Sequence, residues 1–146
     1  MTDRDRPDSK PAFVTTTLGE QYDVLAPDGS EIRFLVSTAR GSMVHGALPP
    51  GAVSLAIVHR TVEEVWYVTG GRAEVWRKQG DDEEIVAVGP GSALTIPLGA
   101  HFQFRTIGDE SFQFVMCTMP PWPGAQEAVR VPDYWPVSGV AAVPQR

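Results

Sequence analysis

The chain has 146 residues and a formal net charge of −6. That length suits one domain with a buried core, and that charge argues against nucleic-acid backbones and anionic membrane surfaces as partners. Apolar residues make up 42%, yet no run approaches the roughly 18 residues of a membrane-crossing helix. The opening MTDRDRPDSK lacks the apolar centre of a secretory leader, and the single Cys117 forbids an intrachain disulfide, so a reducing, cytoplasmic location is expected. In its apolar surroundings Cys117 reads as a buried, inert thiol.

Fourteen Gly and thirteen Pro punctuate short apolar runs, the pattern of an all-β chain with many turns. Residues 1–11 are polar and form an arm. Residues 12–17 (AFVTTT) read as a first strand, at an edge or exchanged in a dimer, and Tyr22 to Leu25 as a second. Ala26-Pro27-Asp28-Gly29 is a turn, with proline fixing φ and glycine accepting positive φ. Strands follow at 31–36 and 42–48, then a Pro49-Pro50-Gly51 turn, then strands at 53–59 and 65–69. Gly70-Gly71 turns the chain into 73–78, and the polar tip 79–82 leads to 84–88. Gly89-Pro90-Gly91, the strand 93–96 and Pro97-Leu98-Gly99 precede strands at 101–106 and 112–118. About ten short strands at this spacing predict a sandwich or barrel over 12–119. From 120 onward the character changes: six of the thirteen prolines and two of the four tryptophans lie here. A helical turn is expected at 125–129. The rest of 120–146 should lie extended on the barrel, held by Trp122, Tyr134 and Trp135.

Two spacings stand out. Gly51, five residues, Ile57-Val58-His59, four residues, Glu64, six residues and Gly71 form the first. Gly91, five residues, Pro97-Leu98-Gly99 and His101 form the second. They resemble the two motifs of the cupin superfamily: Gly, five residues, His-x-His, three or four residues, Glu, six residues, Gly; then Gly, five residues, Pro-x-Gly, two residues, His. Ile57 stands where the first histidine belongs, and His101 arrives one residue early. The resemblance covers about a third of the chain. It implies a cupin-type double-stranded β-helix (a jelly-roll barrel) of the small, single-domain bacterial kind, paired as a homodimer because an apolar barrel edge needs cover.

Period two puts Ile57 and His59 on one strand face, and the resemblance turns that face into the barrel. Glu64, Trp66 and Val68 would point inward, with Val65 and Tyr67 away. His101, Gln103 and Arg105 share a face of their strand. The resemblance implies that His59, Glu64 and His101 hold a divalent metal ion (Fe, Mn, Ni or Zn). It also implies a dioxygenase, isomerase or lyase-like reaction on a small polar organic molecule. His59 and Glu64 would be catalytic, Gln103 and Arg105 would orient the substrate, and Trp66 would line the pocket. The residues leave other outcomes open. Ile57 removes a ligand and dries the site. The early His101 can turn away, with Phe102 and Phe104 pointing inward instead. A metal-free barrel with a His59–Glu64 hydrogen bond then binds or senses a small molecule, or uses that pair for acid–base chemistry. Glu63 competes with Glu64 for the motif position, and Glu64 is preferred because Gly71 then opens the next strand. His45, if inward, replaces the ligand lost at Ile57. Otherwise it is an ordinary hydrogen-bonded histidine, and Arg105 snorkels at the rim. Trp66, Trp76 and Phe112 are expected in the core, and 81–84 is a solvated tip.

Overall fold

A computed structural model describes residues 10–139 of the chain. Its strands are β1 (Val24–Leu25), β2 (Glu31–Ser37), β3 (Ser42–Leu48), β4 (Ile57–His59), β5 (Glu63–Gly70), β6 (Arg72–Gln79), β7 (Asp82–Val88), β8 (Ala93–Ile96), β9 (His101–Ile107), β10 (Phe112–Met119) and β11 (Ala128–Arg130). They make two sheets, ordered β1-β2-β3-β10-β5-β8 and β11-β4-β9-β6-β7, with antiparallel pairing throughout. The inner faces enclose one main core. This is the expected all-β jelly roll.

Alternation decides what each strand buries. In β5, Glu64, Trp66 and Val68 are buried while Glu63, Val65 and Tyr67 are exposed. The interior is aromatic: Trp66 stacks on Phe114 at 4.4 Å, Phe112 stacks on Phe114 at 5.0 Å, and Phe104 meets Trp66 edge-on at 5.1 Å. Such pairs add roughly 0.5–1.5 kcal/mol each beyond their burial. Gly46 makes room for this cluster, since a Cβ there would lie 2.5 Å from the Phe114 ring. Gly71, at φ 67°, turns β5 into β6 where a Cβ would sit 2.2 Å from the Ser111 carbonyl oxygen.

Several local expectations change. Residues 12–17 form no strand; they run irregularly and exposed. The strand expected at 53–59 is regular only over β4. Before it, the amide of buried Ser54 donates to the Phe104 carbonyl, while the Phe104 amide donates to the Ser54 hydroxyl and not to its carbonyl, so the ladder is interrupted. Cys117 is half-buried on the outer face of the six-stranded sheet, not in the core, because Phe114 and Met116 occupy the inner positions of β10. Trp76 leaves the main core and joins Val53, Ala56 and Trp135 in a small cluster on the outer side of the five-stranded sheet. The C-terminal segment covers that side: Tyr134 stacks on Trp76 at 5.5 Å, and β11 pairs with β4. The helical turn appears as a 3-10 turn at Ala125–Glu127. The first nine residues of the expected arm and the last seven of the expected tail lie outside the described residues.

Candidate functional site

The interior site lies where β4 and β5 approach β9 and β10. The Glu64 carboxylate accepts a hydrogen bond from Trp66 Nε1–H at 3.2 Å on Oε1 and one from the Thr118 hydroxyl at 3.2 Å on Oε2. The donor-only indole requires an acceptor at Oε1. His59 Nδ1 stands 4.0 Å from Oε1, too far for the expected direct hydrogen bond. That nitrogen is buried without a partner. Between the groups lies a cavity of about 20 Å³, lined among others by Asp28, Ile57, Met116 and Trp122. This is room for about one water molecule. Trp122 and Phe102 close it from two sides, each edge-on to His59 at 5.4 and 5.3 Å.

Burial pushes the His59 imidazole down to a pKa of about 4, against the opposing pull of the Glu127 carboxylate. His59 is therefore neutral at physiological pH. Glu127 itself, 5% exposed, accepts from Thr61 N at 2.6 Å, Thr61 Oγ1 at 2.7 Å and Val62 N at 2.7 Å. Burial alone would raise its carboxyl; those bonds, with His59, bring it below the ordinary glutamate value. Sequence reasoning missed Glu127, Asp28 and Trp122. Glu127 and Trp122 sit in the Pro-rich tail and Asp28 in a turn, and no local pattern marks any of them as facing the barrel.

Of the residues expected at the site, His59, Glu64 and Trp66 are brought together, and Glu64 rather than Glu63 faces inward. His101 is not there. With one residue fewer after Gly99, the register pairs Phe102 with Ile57 and turns Phe102 and Phe104 into the core. His101 faces outward into a groove of about 420 Å³ beside Trp76, Lys78 and Tyr134. Gln103 and Arg105 follow it outward, away from His59 and Glu64. Gln103 is fully buried as a clamp: Nε2 donates to Ser54 O and Trp135 O, and Oε1 accepts from Tyr134 N and Trp135 N. Arg105 pairs with Glu74 at 2.6 Å and lies 4.6 Å over the Trp135 ring. His45 does not enter the interior site either. It lies opposite Arg33 and Val115 on the outer face of the six-stranded sheet, because the inward places on β3 belong to Val44 and Gly46.

The donors for the expected divalent metal ion therefore do not assemble. One imidazole and one glutamate carboxylate converge. Among the described residues no three His, Cys, Asp or Glu side chains are grouped to hold a metal. Ile57 and Phe102 occupy the two remaining ligand positions of the motifs, and they are cross-strand partners. Both are almost fully buried, so apolar packing fills the place of two imidazoles.

A sequence profile described as the Cupin domain matches residues 44–118. The chain belongs to the cupin family. Among its relatives this cupin is 28% identical over 111 residues to an uncharacterised protein of Methanocaldococcus jannaschii, covering 70% of this chain and 86% of that one. Its fold is similar to that of an oxalate decarboxylase variant from Bacillus subtilis, with a TM-score of 0.63 and 16% identity over 75% of this chain. It spans only 30% of that longer chain. It is also similar to KdgF from a Halomonas species, with a TM-score of 0.58 and 17% identity, covering 72% of this chain and 94% of that one. At these identities the likeness carries the fold and not the chemistry. Among the described residues no helix is long and apolar enough to cross a membrane.

Proposed function

We propose that this cupin binds a small neutral or cationic molecule in the barrel without a metal ion, using His59 and Glu64 as the polar pair. The observation that carries this reading is the Ile57–Phe102 pair, which packs apolar surface where the motifs would otherwise supply imidazoles. The metal-dependent dioxygenase, isomerase or lyase-like reading needs a third protein ligand, and His101 points the other way. The lining sets the sign of the ligand. Glu64 and Asp28 contribute carboxylates, His59 is neutral, and Trp122 and Phe102 present rings. An anion would face these acceptor oxygens with only a neutral imidazole beside them. An ammonium or a hydrogen-bond donor would find acceptors on Glu64 and a weak attraction to the rings. If turnover occurs, His59 and Glu64 are the groups able to hold and pass a proton.

The test combines metal analysis with ligand-induced thermal shifts on the full chain. Protein prepared without chelator should carry no stoichiometric iron, manganese, nickel or zinc. Methylammonium and ethanolamine should raise the melting temperature, and acetate and oxalate should not, since a ligand that binds only the folded state stabilises it. Glu64→Gln should abolish the amine effect. A stoichiometric metal that disappears in His59→Ala, or stabilisation by the acids alone, would overturn the proposal.

A further inference from the structure

The register that turns His101 out of the barrel brings it to a second hollow. On the outer side of the five-stranded sheet His101 stands opposite Lys78, and the next pair on that face is Gln103 with Trp76. Together with Tyr134 from the C-terminal segment, His101, Lys78 and Trp76 line the groove of about 420 Å³, a volume within the range of small-molecule sites. Part of the lining is aromatic: Tyr134 lies nearly parallel to Trp76, at 17°, and remains 45% exposed. The nitrogen donors lack acidic partners. On its other side Lys78 stands opposite Glu83, whose Oε1 instead accepts from Trp76 Nε1–H at 2.8 Å. Asp133, the carboxylate of the groove wall, accepts from Ala56 N and from Arg130 Nη2, each at 3.4 Å. Lys78 also borders the acidic tip at 81–84. Even so, neither Lys78 nor His101 forms an ion pair among the described residues.

We propose that this groove is a second ligand site, and that it takes a carboxylic acid carried on a flat ring. Lys78 supplies an ammonium and His101 a ring N–H to the carboxylate, and the ammonium bond is charge-assisted. The exposed part of Tyr134 offers a surface on which the guest's ring extends the Trp76–Tyr134 stack. Both halves of the guest are needed. An exposed ammonium holds a bare acid weakly, because water screens the pair. An exposed ring alone does not choose among apolar guests. A cation gains little here, since it meets Lys78 while Asp133 already has two donors. The groove lies outside the barrel, whereas His59 and Glu64 line the interior cavity. Binding in the groove therefore does not depend on what the barrel holds.

Titration of the full chain with benzoate, followed by amide NMR spectra, tests the assignment. Benzoate should saturate with a Kd of about 1 mM, and the shifts should centre on Lys78, His101 and Tyr134. Acetate lacks the ring, and benzylamine carries the opposite charge. Each should act on those same signals about 10-fold more weakly or less, whatever either does in the barrel. Lys78→Gln and Tyr134→Leu should each weaken benzoate by about 10-fold. Lys78 is exposed and forms no ion pair, so its variant reports even if Tyr134→Leu loosens the C-terminal segment. Glu64→Gln, which tests the barrel reading, should leave benzoate binding as it is. No saturation by benzoate, shifts centred on the barrel cavity, acetate binding as well as benzoate, or binding that survives Lys78→Gln would overturn the assignment.

Discussion

His59 shows what a single buried side chain imposes on the pH response. Its imidazole has a folded pKa of about 4 against an ordinary value of 6.5. The unfolded chain therefore takes up the proton first as pH falls. Stability is full above 6.5 and declines through the window down to about 4, by about 3 kcal/mol from this one group. Urea denaturation followed across that window should show the decline, and His59→Leu should flatten it. Ile57 and Phe102 support a prediction of the opposite kind. Together, Ile57→His and Phe102→His should give this cupin a metal site, read as cobalt d–d absorption at one equivalent. Either change alone, which makes only three donors, should bind cobalt more weakly. Replacing two packed apolar groups will cost roughly 3 kcal/mol or more in the apoprotein, so the added metal should also raise the melting temperature. If the double variant takes up no cobalt, the filled positions are not what excludes the ion.

Among the elements, the C-terminal segment is held by two buried polar clamps. Gln103 joins it to β9 through three hydrogen bonds and makes a fourth to the Ser54 carbonyl. Gln103→Leu leaves two carbonyls and two amides to find other partners, at a cost of roughly 3 kcal/mol. Limited proteolysis should then cut near Pro132 to Ser138 while the barrel resists. Glu127 fastens the 3-10 turn to the β4–β5 connection. Glu127→Ala should weaken that attachment and also remove the carboxylate that supports protonation of His59, moving the His59 titration, followed by NMR, still further down. Strand β9 shows where sequence reasoning stopped short. Side chains alternate along a strand, so one residue fewer after Gly99 exchanges its two faces. His101, Gln103 and Arg105 left the interior together for that one reason, and Phe102 and Phe104 replaced them. Both faces of this strand are covered, so either register looked plausible from pattern alone.

At the scale of the molecule, the glycine and proline spacings of the two motifs marked turns, and turns fix the order of short strands. That is why the barrel could be read from the sequence. His59 and Glu64 were legible because each sits on a strand whose period-two pattern is clear. The rest of the site's surroundings were not: Glu127, outside the cavity, reaches Thr61 across 66 positions, and the wall residues Asp28 and Trp122 come from a turn and a Pro-rich tail. No periodicity links segments so far apart. The outer sheet face was half legible, since outward-facing Val65 and Tyr67 were expected and their lack of cover was not.

Trp122 gives this arrangement a practical consequence. Its indole lies against His59 over a space that holds one water, so any organic guest must push the ring aside. Entry should be slower than a diffusional encounter, and rates of uptake should saturate with guest concentration at the rate of ring departure. Stopped-flow emission of the wild-type chain should follow that departure directly, and Trp122→Ala should leave the entrance open and abolish the plateau.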